Sequence, residues 1–427
     1  MRRTTTRLRC AIAVSFTLSL VALGCGGDGA AESPATTRDA GTDAVQDSGQ
    51  GDSTADAVSD VAQDAVLEAA QDAEQDATEA GLGDAEADAE GGPVDAGPPV
   101  GCIQGDFQAF FGNLHAHTSF SDGAGEPADA FAHARDVAGL DVMVVTDHLE
   151  QLYIPPPLDK LGDCLSQADD ANDPGVFVTG CGFEYGSGFE GVMSTGHNNV
   201  FFSDHLFPAV QLDFHEFFGT LTACSTCVGQ FNHPGSEPGQ TWSDFAYEPE
   251  VDGRLNLIEF NGEGDVWVRY FQALDAGWHV SPMFNQDNHS ADWGSKNDNR
   301  SGLYMPYLSR TGLYDALSNR RTFASRADKN ATIHMTTDMN CWMGSILKDT
   351  GVAKLHVEAD DPDAADGFTS IELYGPGAAL LHEATCQGST SCATDYDVIT
   401  AGPTYVVAKA LQDDGGELVS APIWLEP

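Results

Sequence analysis

From Cys102 onward one unit recurs along this chain, a short apolar run that ends in a histidine or an acidic cluster, and no other feature narrows the possible folds as much. Phe110–Leu114 leads into His115-Ala116-His117, and Val142-Met143-Val144-Val145 into Thr146-Asp147-His148. Val176–Val178 precedes Glu184, Val228–Phe231 leads into Asn232-His233-Pro234, Leu255–Phe260 into Asn261-Gly262-Glu263, and Val280–Phe284 into Asp287-Asn288-His289. Continuous apolar runs of this length suit strands buried on both faces, the condition of a parallel sheet. Between them, Glu126–Ala138 carries Ala130, Phe131, Ala134 and Val137 at helical spacing, with Gly139 placed to cap it; Val266–Ala276 followed by Gly277 is similar. Strand alternating with helix predicts an α/β fold. Polar clusters at the carboxyl ends of successive strands fit the active-site face of a barrel.

After about residue 345 the pattern changes. Lys354–Glu358, Ser370–Tyr374, Thr404–Ala408 and Ala421–Leu425 are β-rich runs separated by Gly, Pro, Asp and Ser. They predict an antiparallel, sandwich-like β module over residues 346–427, after a catalytic domain over 102–345. His356 and His382, inside the module, are read as structural or surface residues.

The amino-terminal quarter has a different composition. Arg2, Arg3, Arg7 and Arg9 followed by the apolar run Ala11–Leu23 predict an export signal over residues 1–24, too short a run to span a membrane comfortably. It ends Val21-Ala22-Leu23-Gly24-Cys25, which resembles a bacterial lipobox with Ala22 where Leu is more usual. Cys25 is then the acylated anchor that holds the exported chain to the cell envelope, and Gly26 after it resembles lipoproteins sent on to the outer membrane. Residues 25–101 form an Ala- and Asp-rich tether that holds 19 of the chain's 66 acidic residues and one basic residue, Arg38. Such a segment buries too little apolar surface to offset its ordering entropy and is expected to be disordered. The net charge of −47 argues against a nucleic-acid partner, whose phosphates it would repel.

Ten cysteines are present, and setting aside Cys10 and Cys25 leaves an even eight, which in an exported protein favours disulfides. Cys164 with Cys181, and Cys386 with Cys392, make local pairs. Cys224-Ser-Thr-Cys227 has the CxxC spacing of redox and zinc motifs, but with no second CxxC a structural disulfide is the better expectation.

His115 and His117 stand two apart, so on an extended strand both imidazoles project from one face and can hold one metal ion. A lone HxH says little. Six of the thirteen histidines occupying such strand ends says much more, because clustered imidazoles and carboxylates buried without a cation are expensive to desolvate. His133, His205, His215 and His279 lack such a setting and are expected to be structural. Trp242, Trp267, Trp278 and Trp293 fit either a substrate cleft or core packing, and Arg300, Arg320 and Arg321 either an anionic substrate or structural pairing.

Asn113-Leu114-His115-Ala116-His117-Thr118-Ser119-Phe120-Ser121-Asp122-Gly123, followed by Thr146-Asp147-His148, resembles the first two motifs of the PHP (polymerase and histidinol phosphatase) superfamily. Asn232-His233-Pro234-Gly235 and Asp287-Asn288-His289 resemble its third and fourth, and Glu184 and Gly196-His197-Asn198-Asn199-Val200 fall where that family places a bridging glutamate and a further histidine. The segment Asp315–Phe323 and the tail Ser420–Trp424 look like its carbaryl-hydrolase-like branch. The resemblance covers about residues 107–325. It implies a distorted (β/α)7 barrel with two or three divalent ions, His115, His117, Glu184 and Asp287 holding the first, Glu184, His197 and His233 a second, and Asp122, His148 and His289 a third. Two positions depart from the pattern: Asp122 stands where histidine is frequent, and Asn285-Gln286 replaces a small Gly-Ser pair.

Mixed imidazole and carboxylate ligands suit zinc, manganese or iron. Ions so held activate water against a phosphoric, carboxylic or carbamic ester, so a small-molecule ester is the expected substrate. Asp147, beside His148, is read either as a catalytic residue orienting that histidine or moving a proton, or as a turn residue capping the following segment. The competing expectation is a non-catalytic surface lipoprotein that binds metal or glycan.

Overall fold

The structure, a computed structural model, describes residues 100–427 except 155–158, 187–195, 209–213, 236–241, 262–264, 328–329 and 364. The export signal, Cys25, nearly all of the tether and Glu263 lie outside the described residues, which fall within one unit of the chain, Glu90–Pro427.

Strands β1 (Gln108–Asn113), β2 (Val142–Val145) and β3 (Val178–Cys181) run parallel to one another. After Gly182 the chain passes from β3 into β4 (Phe183–Gly186), the edge of a second sheet in which β5 (His197–Phe201), β6 (Val228–Asn232), β7 (Leu255–Glu259) and β8 (Ser281–Met283) follow in order. An isolated bridge joins His148 to Glu184 at one junction between the sheets, and another joins Ala116 to Asn288 at the second. The α/β class holds. Regular alternation does not hold throughout, because β5 is antiparallel to both β4 and β6.

Burial on both faces explains the unbroken apolar runs. Met143 and Val145 pack with Ala116, Ala130 and Phe131 beneath the helix Pro127–His133. Val142 and Val144, with opposite parity, pack with Val178, Leu257, Leu313 and Leu317, the last two from the helix Arg310–Ser318. The first helix opens as the sequence directs, with Pro127 at its start and the Glu126 amide donating to Asp129 Oδ2 at 3.0 Å. Its last turn, Ala134–Ala138, widens to π geometry before Gly139 ends it at φ 66°.

The chain returns through β9 (Arg300–Met305), antiparallel to β1, and β10 (Thr322–Arg326), antiparallel to β9. The β module then runs through β11 (Thr332–Thr337), β12 (Ile346–Lys348), β13 (Val352–Asp360), β14 (Phe368–Gly375), β15 (Ala379–Ser389), β16 (Ser391–Ile399), β17 (Thr404–Gln412), β18 (Glu417–Ser420) and β19 (Ile423–Glu426), antiparallel as expected except that β12 pairs β19 in parallel. One sheet of it is β11-β13-β16, and the other is joined to β10 through β18. Ile333, Met335, Leu355 and Val357 from the first meet Ile371, Leu373, Val406 and Leu418 from the second in a shared core. The compositional change near residue 346 falls among the strands of this module, after β11.

Four disulfides join all eight cysteines from Cys102 onward: Cys102–Cys341, Cys164–Cys181, Cys224–Cys227 and Cys386–Cys392. His279 links the loop before β7 to the last strand, through Asp252 Oδ2 at 2.7 Å and Glu426 Oε1 at 3.0 Å. The His279 bond, ahead of Lys348, pulls the Glu426 carboxyl down to about 2. Burial alone would lower His279, but the two carboxylates raise it.

Candidate metal centre

All nine side chains singled out as ligands converge on one cluster. His115 and His117 follow β1, His148 follows β2, Glu184 lies in β4, His197 opens β5, and His233, Asp287 and His289 follow β6 and β8. His233 (φ 29°) and Asp287 (φ 44°) hold left-handed backbone that non-glycine residues rarely adopt. Such strain persists only where surrounding contacts enforce it, and it concentrates at functional sites. The Lys296 ammonium helps hold the second of these turns, donating to the carbonyls of Gln286 and Asp287 at 3.0 and 3.1 Å.

The first group is a near-equilateral triangle. His115 Nε2 and His117 Nε2 lie 3.2 Å apart, and Asp287 Oδ1 is 3.4 Å from the former and 3.1 Å from the latter. Asp287 Oδ1 is buried and has no hydrogen-bond partner among the described residues. A carboxylate oxygen facing two ring nitrogens without a hydrogen bond is costly unless a cation sits between them. Ligand atoms bound at 2.0–2.2 Å around one ion stand roughly 3.0–3.6 Å apart. The triangle fits that spacing, and the donor set therefore suits a divalent ion.

Glu184 joins the groups. Its Oε1 lies 3.1 Å from both His197 Nδ1 and His233 Nε2 and 3.5 Å from His115 Nε2, while Oε2 lies 3.0 Å from His148 Nδ1 and 3.4 Å from His117 Nε2. A further group forms at the outer edge, where Asp122 Oδ1 meets His289 Nε2 at 3.3 Å and His148 Nε2 at 3.6 Å, with the rings of His117 and His289 stacked. The chain thus presents three overlapping groups with ligand spacing, His115/His117/Asp287, His115/Glu184/His233 and His117/Asp122/His148/His289.

Charge in the cluster points the same way. Burial opposes ionisation of Glu184 and Asp287, yet the surrounding imidazoles, His115 first, hold both carboxyls below their usual range. Burial would lower His148 and His233, but the hydrogen bond from each to Glu184 pushes both up to about 9. His117, with burial dominant, is lowered. The carboxylates impose a negative field that cations satisfy.

Asp147 stands apart from this chemistry. Its oxygens accept from the amide of Thr118 at 2.7 Å, from Thr118 Oγ1 at 2.6 Å and from the Ser121 hydroxyl. These three hydrogen bonds tie the carboxylate to the loop that carries Asp122, which precedes it in the chain, rather than to the segment that follows. Asn285 and Gln286 underlie the cluster: Asn285 Oδ1 accepts from the Leu114 amide at 2.9 Å, and Gln286 Oε1 from the Gly294 amide at 3.0 Å.

The remaining histidines find partners elsewhere: His133 with Ser295, His205 with Asp204, His215 with Glu248, His279 with Asp252 and Glu426, His334 with Glu358, His356 with Asp395 and His382 with Thr394. Trp242, Trp278 and Trp293 are buried core residues, and Trp293 also donates to the carbonyl of His117 at 2.9 Å. Arg300, Arg320 and Arg321 are buried and structural, Arg321 paired with Asp315.

One residue at the cluster escaped the sequence reading. Glu259, the last residue of β7 and fully buried, meets His115 Nδ1 with both oxygens, at 3.0 and 3.1 Å. The signal was present: an acid inside the apolar run Leu255–Phe260, ahead of Glu263 beyond its end.

No family model matches the sequence, and no curated protein does. Among solved structures, a two-domain protein from Bacteroides vulgatus containing a predicted PHP-like metal-dependent phosphoesterase is similar over 79% of this chain and 100% of that one, at 16% identity and a TM-score of 0.44. The lesion-specific endonuclease Q of Pyrococcus furiosus is similar over 49% of this chain and 56% of that one, at 12% identity and a TM-score of 0.35.

Proposed function

We propose that this chain is a metal-dependent hydrolase acting on a phosphoric, carboxylic or carbamic ester at a centre of two or three divalent ions. His115, His117 and Asp287 would hold one ion, His115, Glu184, His197 and His233 a second, and Asp122, His148 and His289 a third, with Glu184 shared through its two oxygens. Divalent cations held there would supply Lewis acidity and lower the pKa of water towards about 7.

The observation that carries this reading is the one-sided exposure of the cluster. His115, His117 and Glu184 are buried, whereas His289 and Asp122 are 38% and 48% exposed. Structural metal sites are closed, while catalytic ones keep a side open to water and substrate. The buried residues fix the ligand atoms and exclude water behind them. The open edge, on the loops after β1 and β8, is where a substrate can reach the centre.

The full pairing of eight cysteines supports export to an oxidising compartment, and we extend the proposal to attachment at the cell envelope through Cys25. Cys25→Ala is then expected to move the protein from the membrane to the soluble fraction.

The decisive experiment strips the purified protein of metal and reloads it with Mn²⁺ or Zn²⁺. It is then assayed on aryl phosphomonoesters, phosphodiesters and carboxyl esters. Turnover of at least one class is expected. Stoichiometric metal binding without turnover of any of them would leave a binding protein and overturn the proposal.

A further inference from the structure

Glu259 ties together two elements of the cluster that come from distant parts of the chain. Its carboxylate faces His115 Nδ1 with both oxygens, and its Oε2 also accepts the backbone N–H of His233 at 2.9 Å. All three residues are buried. Among the described residues the imidazole of His115 is the ion-pair partner of Glu259. On the far side of the same ring, His115 Nε2 faces Glu184 and Asp287.

We infer that Glu259 is a positioning residue that fixes the tautomer and tilt of His115 and the backbone of His233 for metal binding. The inference rests on the proposed metal centre. An imidazole whose Nδ1–H is held by a carboxylate presents Nε2 as a lone pair, is more basic there, and cannot rotate away. His115 belongs to two of the three groups, so a single carboxylate sets a corner of each. Through the N–H of His233 it also secures the strained turn, φ 29°, that aims His233 Nε2 at Glu184.

Glu259→Gln removes the charge and one acceptor with almost no change of volume. The amide keeps one acceptor oxygen, which at the Oε2 position can still reach both N–H groups, but it loses the charge and the second oxygen that faces His115 Nδ1 at 3.0 Å. Its NH₂ then opposes the N–H it meets. Glu259→Asp keeps the charge and withdraws it by one methylene, so it distinguishes reach from charge.

The test uses the full chain. Metal-free wild type and both variants are compared by circular dichroism and thermal unfolding, then titrated with Zn²⁺ against a chromophoric chelator, and Co²⁺ absorption is recorded. Both variants are expected to fold and to bind Zn²⁺ about 10–100-fold more weakly, with shifted Co²⁺ bands. Nitrogen-15 spectra of zinc-loaded wild type, which need no variant, are expected to show His115 protonated at Nδ1. Unchanged affinity and bands in Glu259→Gln, or a His115 proton at Nε2, would overturn the inference and leave the metal centre standing. Wild type that takes up no divalent ion would overturn both.

Discussion

Asn232 Nδ2 donates to Glu184 Oε1 over 2.8 Å, so the carboxylate that joins the ligand groups is gripped from behind by an amide. Gln230 Nε2 holds Asn232 Oδ1 at 2.8 Å, and Asn285 Nδ2 holds Gln230 Oε1 at 3.2 Å, a buried chain of amides from Glu184 to the junction of β1 and β8. Each member is satisfied through its neighbour, so deleting one strands the others. Asn232→Ala leaves Gln230 Nε2 and one Glu184 contact without a partner. Metal-free protein is expected to lose about 1–3 kcal/mol, seen as a lower urea midpoint with an unchanged slope.

Asp147→Asn distinguishes a loop clamp from a proton carrier. The amide cannot accept from both the Thr118 amide and hydroxyl and also from Ser121. The expected result is a lower melting temperature and weaker binding of the ion nearest Asp122, with both limbs of the pH–rate profile retained. Disappearance of one limb would return Asp147 to proton transfer.

Stability in acid should depend on Glu426. Its carboxyl is depressed to about 2 by His279 and Lys348, from an ordinary value near 4.5. A depressed folded value stabilises the fold above the unfolded pKa and loses that contribution as pH falls. The melting temperature of wild type should therefore exceed that of Glu426→Gln near pH 5, and the two curves should converge between about pH 4.5 and 2. His279, raised, acts in the opposite direction and loses its contribution as pH rises through its folded value.

The Cys102–Cys341 bridge closes a loop with a sequence separation of 239, against 3 for Cys224–Cys227. On the chain-entropy account its removal costs up to about 5 kcal/mol, far more than loss of the short bridge. Paired Cys→Ser variants compared by chemical denaturation check this ordering.

Much of the site was legible in the sequence because most ligands stand where an apolar run stops, and a strand end is a fixed point in space; His197, which opens β5, and Asp122, on the loop after β1, came instead from the motif resemblance. The run Val142–Val145 is β2 without adjustment, and Val228–Phe231 is β6 less one residue. Elements without an apolar signature were missed. β15 and β16 are exposed at most positions, a polar ribbon set by the Cys386–Cys392 bridge and its pairing partners rather than by burial. The antiparallel course of β5 was also hidden, since a strand buried on both faces reads alike in either direction. Glu259 was passed over because a lone acid within an apolar strand looks like an irregularity until its partner, 144 residues away, is known.

The seam between β10 and β18 pairs Phe323 with Ser420 and Arg326 with Glu417, and β9 carries the same sheet on to β1, the strand that leads into His115. The carboxyl-terminal strands therefore act as a splint for the ligand-bearing strand rather than as a cassette that could be exchanged between proteins. A chain cut before them would present the bare rim of β10 to its neighbours, and its first casualty would be solubility, ahead of any loss of chemistry.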